Sequence, residues 1–208
     1  MTGQLDTWKG SFGDEYIARN EAKPDVVAGK VRAFAEMLRP LLGQMPRSIL
    51  EVGANIGLNL RALAVLTDAE LFAVEPNETA RARLVRDQVV PAARALDGTA
   101  RAIPMKDGSV ELAFTSTVLI HVPPADLKAA LQEIHRVSSR YILCNEYFAA
   151  RPETIEYRGH TDLLFKNDFG SVWMDQFPGL RLVDYGFHWR RVAAMDSTTW
   201  WLFEKPQG

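Results

Sequence analysis

The chain has 208 residues, 47% of them hydrophobic and 24% charged, which suits one soluble α/β domain with a substantial core. Its 24 basic and 26 acidic residues are well mixed and sum to a charge of −2, which excludes the basic stripe of a nucleic-acid binder. A lone Cys144 can form no internal disulfide and favours a reducing compartment, and no apolar run approaches the roughly 20 residues of a membrane span.

The start, "MTGQLDTWKG", has no basic region ahead of an apolar run, so no signal peptide is expected, and the cytoplasm is the expected compartment. In "TWKGSFGDEYIARN", Ser11 and Asp14 have the spacing of a helix-capping pair. A helix is therefore expected from Phe12, with Phe12, Tyr16 and Arg19 or Asn20 on one face. Residues 24–43 repeat apolar side chains at helical spacing (Val27, Val31, Phe34, Ala35, Leu38, Leu42), with Gly43 as the stop.

From there, short apolar runs alternate with helical ones. "SILEVG" (48–53), "AELFAVEPN" (69–77), "VELAFTST" (110–117) and "SRYILCNEYF" (139–148) read as strands. Between them "LNLRALAVL" (58–66), "ETARARLVRDQV" (78–89) and "PADLKAALQEIHRV" (124–137) read as helices. The alternation predicts a doubly wound α/β fold with a mostly parallel sheet. "GLRLVDYGFHWRRV" and "TTWWLFEKP" predict an antiparallel C-terminal hairpin at one sheet edge. Residues 151–178 carry few periodic signals and read as a long inserted loop or lid.

The informative stretch is "ILEVGANIGLNL". Glu51 ends a buried strand, Gly53 and Gly57 flank a tight turn, and Asn55 tolerates left-handed backbone angles. Leu58 stands where a dinucleotide site would place a third glycine. Glu51 would also add negative charge beside a pyrophosphate, so a ligand with a cationic amino-acid end suits the turn better. Glu75, 24 residues on at the end of the neighbouring strand, can accept from two ribose hydroxyls. The polar loop "GTARAIP" (98–104) is placed to meet a base.

"EVGANIG", "AVEPN", "GTARAIPMKDGSVELAFTSTVLIHV" and "EIHRV" resemble the successive motifs of class I S-adenosylmethionine-dependent methyltransferases. The resemblance implies a Rossmann-like fold on a seven-stranded sheet, a single domain over 1–208, and S-adenosylmethionine as cofactor. Within it, 1–44 would be a cap, 45–148 the cofactor core, 149–178 a substrate loop and 179–208 the last strands. Glu51, Gly53, Asn55 and Gly57 would hold the methionine end, Glu75 the ribose, and Pro76 and Asn77 would lie beside the adenosine. Thr99 stands where the family often has an acidic residue, Ala100 where a backbone N–H reaches the ring, and Thr115 and His121 beside the methyl donor. The aromatic and basic face of Phe12, Tyr16 and Arg19 would close over the cofactor, with Arg19 reaching its carboxylate.

"WKGSFGDEYIARN" and "EYRGHTDLLFKNDFG" are similar to a narrower group, the pseudaminic acid biosynthesis-associated methylases. That likeness implies a small-molecule acceptor in the biosynthesis of surface sugars. Arg158, His160 and Lys166 fall within nine residues and could hold a carboxylate or phosphate of such an acceptor. Transfer to a hydroxyl needs a base, for which His121 is the first candidate, with Glu146 and Tyr147 at the next strand end in reserve. The four histidines lack metal-ligand spacing, so no metal is expected, and His135 reads as a helix-surface residue. Cys144 reads as an inert buried thiol. Two rivals remain at this level: a nicotinamide-dependent oxidoreductase, and a non-catalytic S-adenosylmethionine-binding partner.

Overall fold

The computed structural model describes residues 3–193 and 195–206. In chain order the elements are α1 (Gly3–Lys9), α2 (Ser11–Arg19), α3 (Pro24–Leu38), β1 (Ser48–Val52), α4 (Leu58–Leu66), β2 (Glu70–Val74), α5 (Glu78–Arg86) and β3 (Ala95–Leu96). There follow β4 (Val110–Ser116), α6 (Pro124–Val137), β5 (Ser138–Glu146), β6 (Glu153–Tyr157), β7 (His160–Lys166), α7 (Phe169–Gln176), β8 (Arg181–His188) and β9 (Thr198–Glu204).

Seven strands form one sheet in the order β3-β2-β1-β4-β5-β9-β8. Strands β1 to β5 pair in parallel, and β9 runs antiparallel to both β5 and β8. The parallel strands are apolar on both faces because both are covered. Ile49 joins Leu112, Phe114 and Leu143 on one side, while its neighbour Leu50 joins Ala113, Ile142 and Cys144 on the other. The carboxyl ends of β1, β2 and β4 therefore open on one edge, which is where such a sheet binds ligands.

Helix α3 carries proline in its first turn and ends at Leu38, followed by a 3-10 turn, Arg39–Leu41. The expected helix over 24–43 is thus shorter, because Pro40 has no N–H to continue it. The expected division put α3 in the cap. It instead buries Ala33, Phe34 and Met37 in the core beside Leu60 and Leu63 of α4.

Residues 151–178 are not a loop. β6 and β7 form a separate antiparallel hairpin, and α7 follows, capped by the Asp168 carboxylate, which accepts from the Ser171 N–H at 3.0 Å. The hairpin turns on Arg158 and Gly159, both with positive φ (54° and 80°), which makes a two-residue loop matched to strand twist. Its signal is weak in sequence because β6 exposes Glu153, Thr154 and Glu156, leaving little apolar alternation to read.

At the N-terminus α1 and α2 meet at Gly10, and α2 opens at Ser11, one residue before the expected start. No helix among the described residues is long and apolar enough to cross a membrane.

Candidate active site

A cleft opens over the carboxyl ends of β1, β2 and β4 beneath α1 and α2. Its floor is the turn after β1. Gly53 has φ +77°, and a Cβ there would lie 2.6 Å from Val118, so the backbone conformation and the close approach both require glycine. Asn55 takes the left-handed conformation (φ 47°), as its residue type allows, and Gly57 caps α4 at φ 73°.

Two carboxylates face this turn from adjacent strand ends. Glu51 is 1% exposed. Its Oε1 accepts from Asn59 Nδ2 at 2.5 Å, while Oε2 is buried with no hydrogen bond of good geometry, although the Leu60 backbone N–H lies near enough to the carboxyl to favour its ionised form. Burial pushes its carboxyl up to about 8. Asn59 Oδ1 in turn accepts from Lys30 Nζ at 2.7 Å, and burial pulls the Lys30 ammonium below its usual range. Glu75, 8% exposed, accepts the N–H groups of Asn55 (2.7 Å) and Asn77 (2.9 Å), one on each oxygen. Burial raises it too, against those two bonds. Each Glu75 oxygen keeps a second lone pair for a ligand hydroxyl. Lys30 and Asn59 were not picked out from the sequence, although Lys30 interrupts the buried face of Ala33, Phe34 and Met37 one turn away. A lysine there is expensive without partners.

Pro76, Asn77, Thr99 and Ala100 line the same cleft, as the sequence places them. Asn77 also ties the cap down. Its Oδ1 caps α5 at Ala80 N (2.9 Å), and its Nδ2 donates to Trp8 O (3.3 Å) and Asp14 Oδ1 (3.1 Å). Thr115 does not reach the cleft. It is 1% exposed within β4, and Ser116, Thr117 and Val118 form the wall instead.

The α2 residues that meet the cleft are Gly13, Tyr16 and Ile17, followed by Asn20 at the C-cap, with Trp8 from α1 beside them. Phe12 and Arg19 lie outside this lining, which corrects the expected Phe12–Tyr16–Arg19 face. Phe12 edges His160 at 5.8 Å in a shallow outer depression with Asp6 and Glu15. Arg19 lies 5.5 Å over the Tyr16 ring and 3.9 Å from Glu15. The helix starts at Ser11, and Gly13 is the position that must face inward: a Cβ there would sit 2.0 Å from the Trp8 carbonyl oxygen.

His121 ends the 3-10 turn Leu119–His121 and lines the cleft. Its Nδ1 lies 2.6 Å from the Leu163 carbonyl oxygen of β7, an acceptor, so Nδ1 carries the proton and Nε2 the lone pair. Burial lowers it to about 4, so it is neutral at pH 7. Trp8 packs on it at 4.6 Å and Tyr157 at 5.6 Å.

Glu146 is not in the cleft. It is 0% exposed, and its oxygens accept the N–H groups of Val118 (3.2 Å), Leu119 (3.1 Å) and Ile120 (3.4 Å). It caps the turn that carries His121, and burial raises it to about 7. Tyr147 lies outside the lining as well, donating to Asp196 Oδ2 at 2.8 Å, and both burial and that carboxylate push its hydroxyl up.

Arg158, His160 and Lys166 do not converge. Arg158 lies in the hairpin turn, His160 opens β7 just after it, and Lys166 pairs with Glu153 at the other end of β7. Six residue steps along β7 separate His160 from Lys166, about 20 Å at ~3.3 Å each. His135 is half-buried and stacked on Phe177 at 4.1 Å rather than free on the helix surface. Cys144 is fully buried, which drives its thiol well up.

Residues 50–140 match a family model described as a methyltransferase domain. Solved structures extend the likeness to nearly the whole chain. A SAM-dependent methyltransferase of the DUF858 family from Leishmania major has a TM-score of 0.74 at 16% identity, covering 98% of this chain and 87% of that one. The fold is the Rossmann-like methyltransferase fold. The magnesium protoporphyrin IX methyltransferase of Synechocystis, solved with bound S-adenosylhomocysteine, scores 0.67 at 15% identity over 97% and 98%. The 1,6-didemethyltoxoflavin N1-methyltransferase of Burkholderia thailandensis, solved with its substrate and S-adenosylhomocysteine, scores 0.65 at 14% over 98% and 85%. A comparison with curated proteins found no match. In this methyltransferase fold the two strand-end acids and the His121 turn share one cleft. None of this bears on the narrower likeness to pseudaminic acid methylases.

Proposed function

We propose that the protein is an S-adenosylmethionine-dependent methyltransferase acting on a small molecule. The observation that carries this reading is the buried, unpartnered Glu51 Oε2, a short reach from Glu75 across adjacent strands. An unpaired buried carboxylate oxygen is costly, and a ligand ammonium removes that cost. Glu75, already pinned by two backbone N–H groups, can take a vicinal diol. A molecule with an amino-acid end and a ribose satisfies both, and Lys30 is placed to meet its carboxylate. A nicotinamide dinucleotide would bring a pyrophosphate against Glu51.

Bound there, S-adenosylmethionine supplies an electrophilic methyl group on a sulfonium. The chain aligns the reactants and excludes water. Trp8, Tyr16 and Ile17 roof the cleft, and the Asn77 bonds hold that roof. Glu146 fixes the His121 turn, and the Leu163 carbonyl fixes its tautomer, which leaves Nε2 as the proton-accepting atom. The anionic or sugar-type acceptor expected from the sequence rested on Arg158, His160 and Lys166 acting together. They stand apart, so the proposal leaves that acceptor and the glycan context out.

Calorimetry with S-adenosylhomocysteine against NADH tests the cofactor, followed by labelled-methyl transfer over a small-molecule panel. Binding of NADH and not S-adenosylhomocysteine would refute the reading. Cofactor binding with no transfer to any acceptor class would favour a non-catalytic partner.

A further inference from the structure

Beyond Glu75 the cleft is bordered by a pair of charges from two different elements. Arg101, in the loop between β3 and β4, and Asp126, in the first turn of α6, both line it. Arg101 Nη1 lies 2.8 Å from Asp126 Oδ1. Val122 and Pro123 line the same stretch, and the Asp126 N–H donates to the Pro123 carbonyl at 2.8 Å, which sets the turn into α6. The pair is open to water, with 35% of the Arg101 side chain and 18% of the Asp126 side chain exposed. Ion pairs this open add little stability, so stability does not explain its place in the lining.

Few polar groups of this loop are left for a ligand. Thr99 and Ala102 exchange both backbone bonds, at 3.1 and 3.0 Å. The Thr99 hydroxyl oxygen already accepts from the Arg101 N–H at 3.3 Å. The Ala100 N–H has no hydrogen bond among the described residues, and Ala100 lines the cleft. A carboxylate has about four lone-pair positions, so Asp126 can hold Arg101 and accept again. One backbone donor thus stands a residue away from the arginine that holds one charged acceptor. That is the complement of a single base edge. Adenine offers an acceptor, N1, beside a donor, its amino group; hypoxanthine offers N1–H beside a carbonyl oxygen, the reverse order.

Building on the methyltransferase reading, we propose that Asp126 is the residue that selects adenine in the cofactor, accepting a charge-assisted bond from its amino group while the Ala100 N–H donates to N1. Arg101 is a positioning residue, which ties the α6 carboxylate to the loop that carries Ala100. The selecting acid comes from α6 because Thr99 has no charge to offer. A hypoxanthine ring would set its carbonyl oxygen against the Asp126 carboxylate and its N1–H against the Ala100 N–H, so both bonds become repulsions.

Calorimetry tests this with S-adenosylhomocysteine and two analogues, one carrying hypoxanthine and one carrying unsubstituted purine, which lacks only the amino group. The wild type should bind S-adenosylhomocysteine roughly tenfold or more tighter than either. Asp126→Ala should bring S-adenosylhomocysteine down to the affinity of the purine analogue and leave that analogue within about twofold of its wild-type value, because variant and analogue remove the same bond. Asp126→Asn, whose amide can donate to a carbonyl oxygen, should narrow the gap between S-adenosylhomocysteine and the hypoxanthine analogue. Arg101→Ala keeps the acceptor, so the preference for the amino group should shrink without vanishing. Equal losses for S-adenosylhomocysteine and the purine analogue in Asp126→Ala would leave Asp126 a structural role and overturn the proposal. A wild type indifferent to the amino group would overturn it as well. Failure of the wild type to bind S-adenosylhomocysteine at all would sink the methyltransferase reading itself, which separates the two.

Discussion

Glu75→Gln separates two roles that one side chain performs. In the wild type each carboxylate oxygen accepts a backbone N–H, from Asn55 at 2.7 Å and Asn77 at 2.9 Å. The amide keeps one acceptor and turns its NH₂ toward the other N–H. One bond to a charged group is lost, about 1.5–3 kcal/mol, and the stranded N–H is buried. The variant should therefore lose about 1.5–3 kcal/mol of stability, read by urea denaturation in the absence of cofactor. Glu75→Ala would lose both bonds and is the poorer probe of binding. The remaining lone pairs of Glu75 are those proposed for the ribose, and their charge is gone in Gln. S-adenosylhomocysteine affinity should fall by a further factor of roughly 10 to 150, the same range expressed as a binding constant, measured by calorimetry on protein shown to be folded. Normal affinity in a destabilised variant would leave Glu75 a structural role alone and refute the assigned ribose site. Normal stability would refute the hydrogen-bond account itself.

Glu51→Gln removes the group that can ionise against the ligand ammonium, so S-adenosylhomocysteine binding should weaken at least tenfold, while the melting temperature near pH 7 should rise because the unfolded chain no longer gains an ionised carboxylate. Gly13→Ala places a methyl group 2.0 Å from the Trp8 carbonyl oxygen. It should open the α1–α2 corner, weaken cofactor binding and leave the main thermal transition of the sheet in place; unchanged affinity would show that the cap is not coupled to the cleft. Two buried groups give opposite pH signatures. Glu146, about 7 when folded against an ordinary 4.5, is protonated in the folded state where the unfolded chain is ionised, so it removes about 3 kcal/mol of stability as pH rises from 4.5 to 7. Relative to wild type, Glu146→Gln should gain stability across that window. His121, about 4 against 6.5, stays neutral where the unfolded chain is protonated, so it removes at most about 3 kcal/mol as pH falls from 6.5 to 4. His121→Gln should gain relative stability on acidification, the reverse sense, and parallel curves for all three proteins would refute both assignments.

The parallel core was legible because it is periodic: "ILEV", "LFAV" and "LAFT" are buried on both faces and the helices between them keep one apolar stripe. The turn after β1 was legible because Gly53, Asn55 and Gly57 each take a backbone conformation their residue type signals. What escaped was set by tertiary contact. Glu75 and Glu146 look alike in sequence, each a glutamate closing a buried strand, yet one opens on the cleft and the other lies beneath its wall. Nothing local distinguishes them; the difference is that Val118, Leu119 and Ile120 fold back over Glu146. Arg158, His160 and Lys166 misled for a related reason, since nine residues are compact as a loop and long as a strand. The hairpin turn did leave a trace, a Gly after Arg158 between strand-forming residues, too faint beside so polar a strand.

The cap shows why such contacts decide function here. Helices of seven and nine residues do not hold themselves together in water, so the order of α1 and α2 comes from what they dock against. That docking consists of Ile17 against Ile56 and Ala80, Trp8 on His121 and Phe12 on His160, and the Asn77 side chain at Trp8 and Asp14. Exchanged against water, the two Asn77 hydrogen bonds contribute about 1–3 kcal/mol of it. Asn77 also donates its backbone N–H to Glu75, so the residue that holds the roof is bonded to the residue proposed to hold the ribose. Fixing the Glu75 carboxylate fixes Asn77, and Asn77 fixes the roof. A ligand that engages Glu75 should therefore hold the cap in place without touching α1, keeping Trp8 and Tyr16 over the cleft, and amide exchange in α1 and α2 should slow when S-adenosylhomocysteine binds; equal exchange with and without it would refute the coupling.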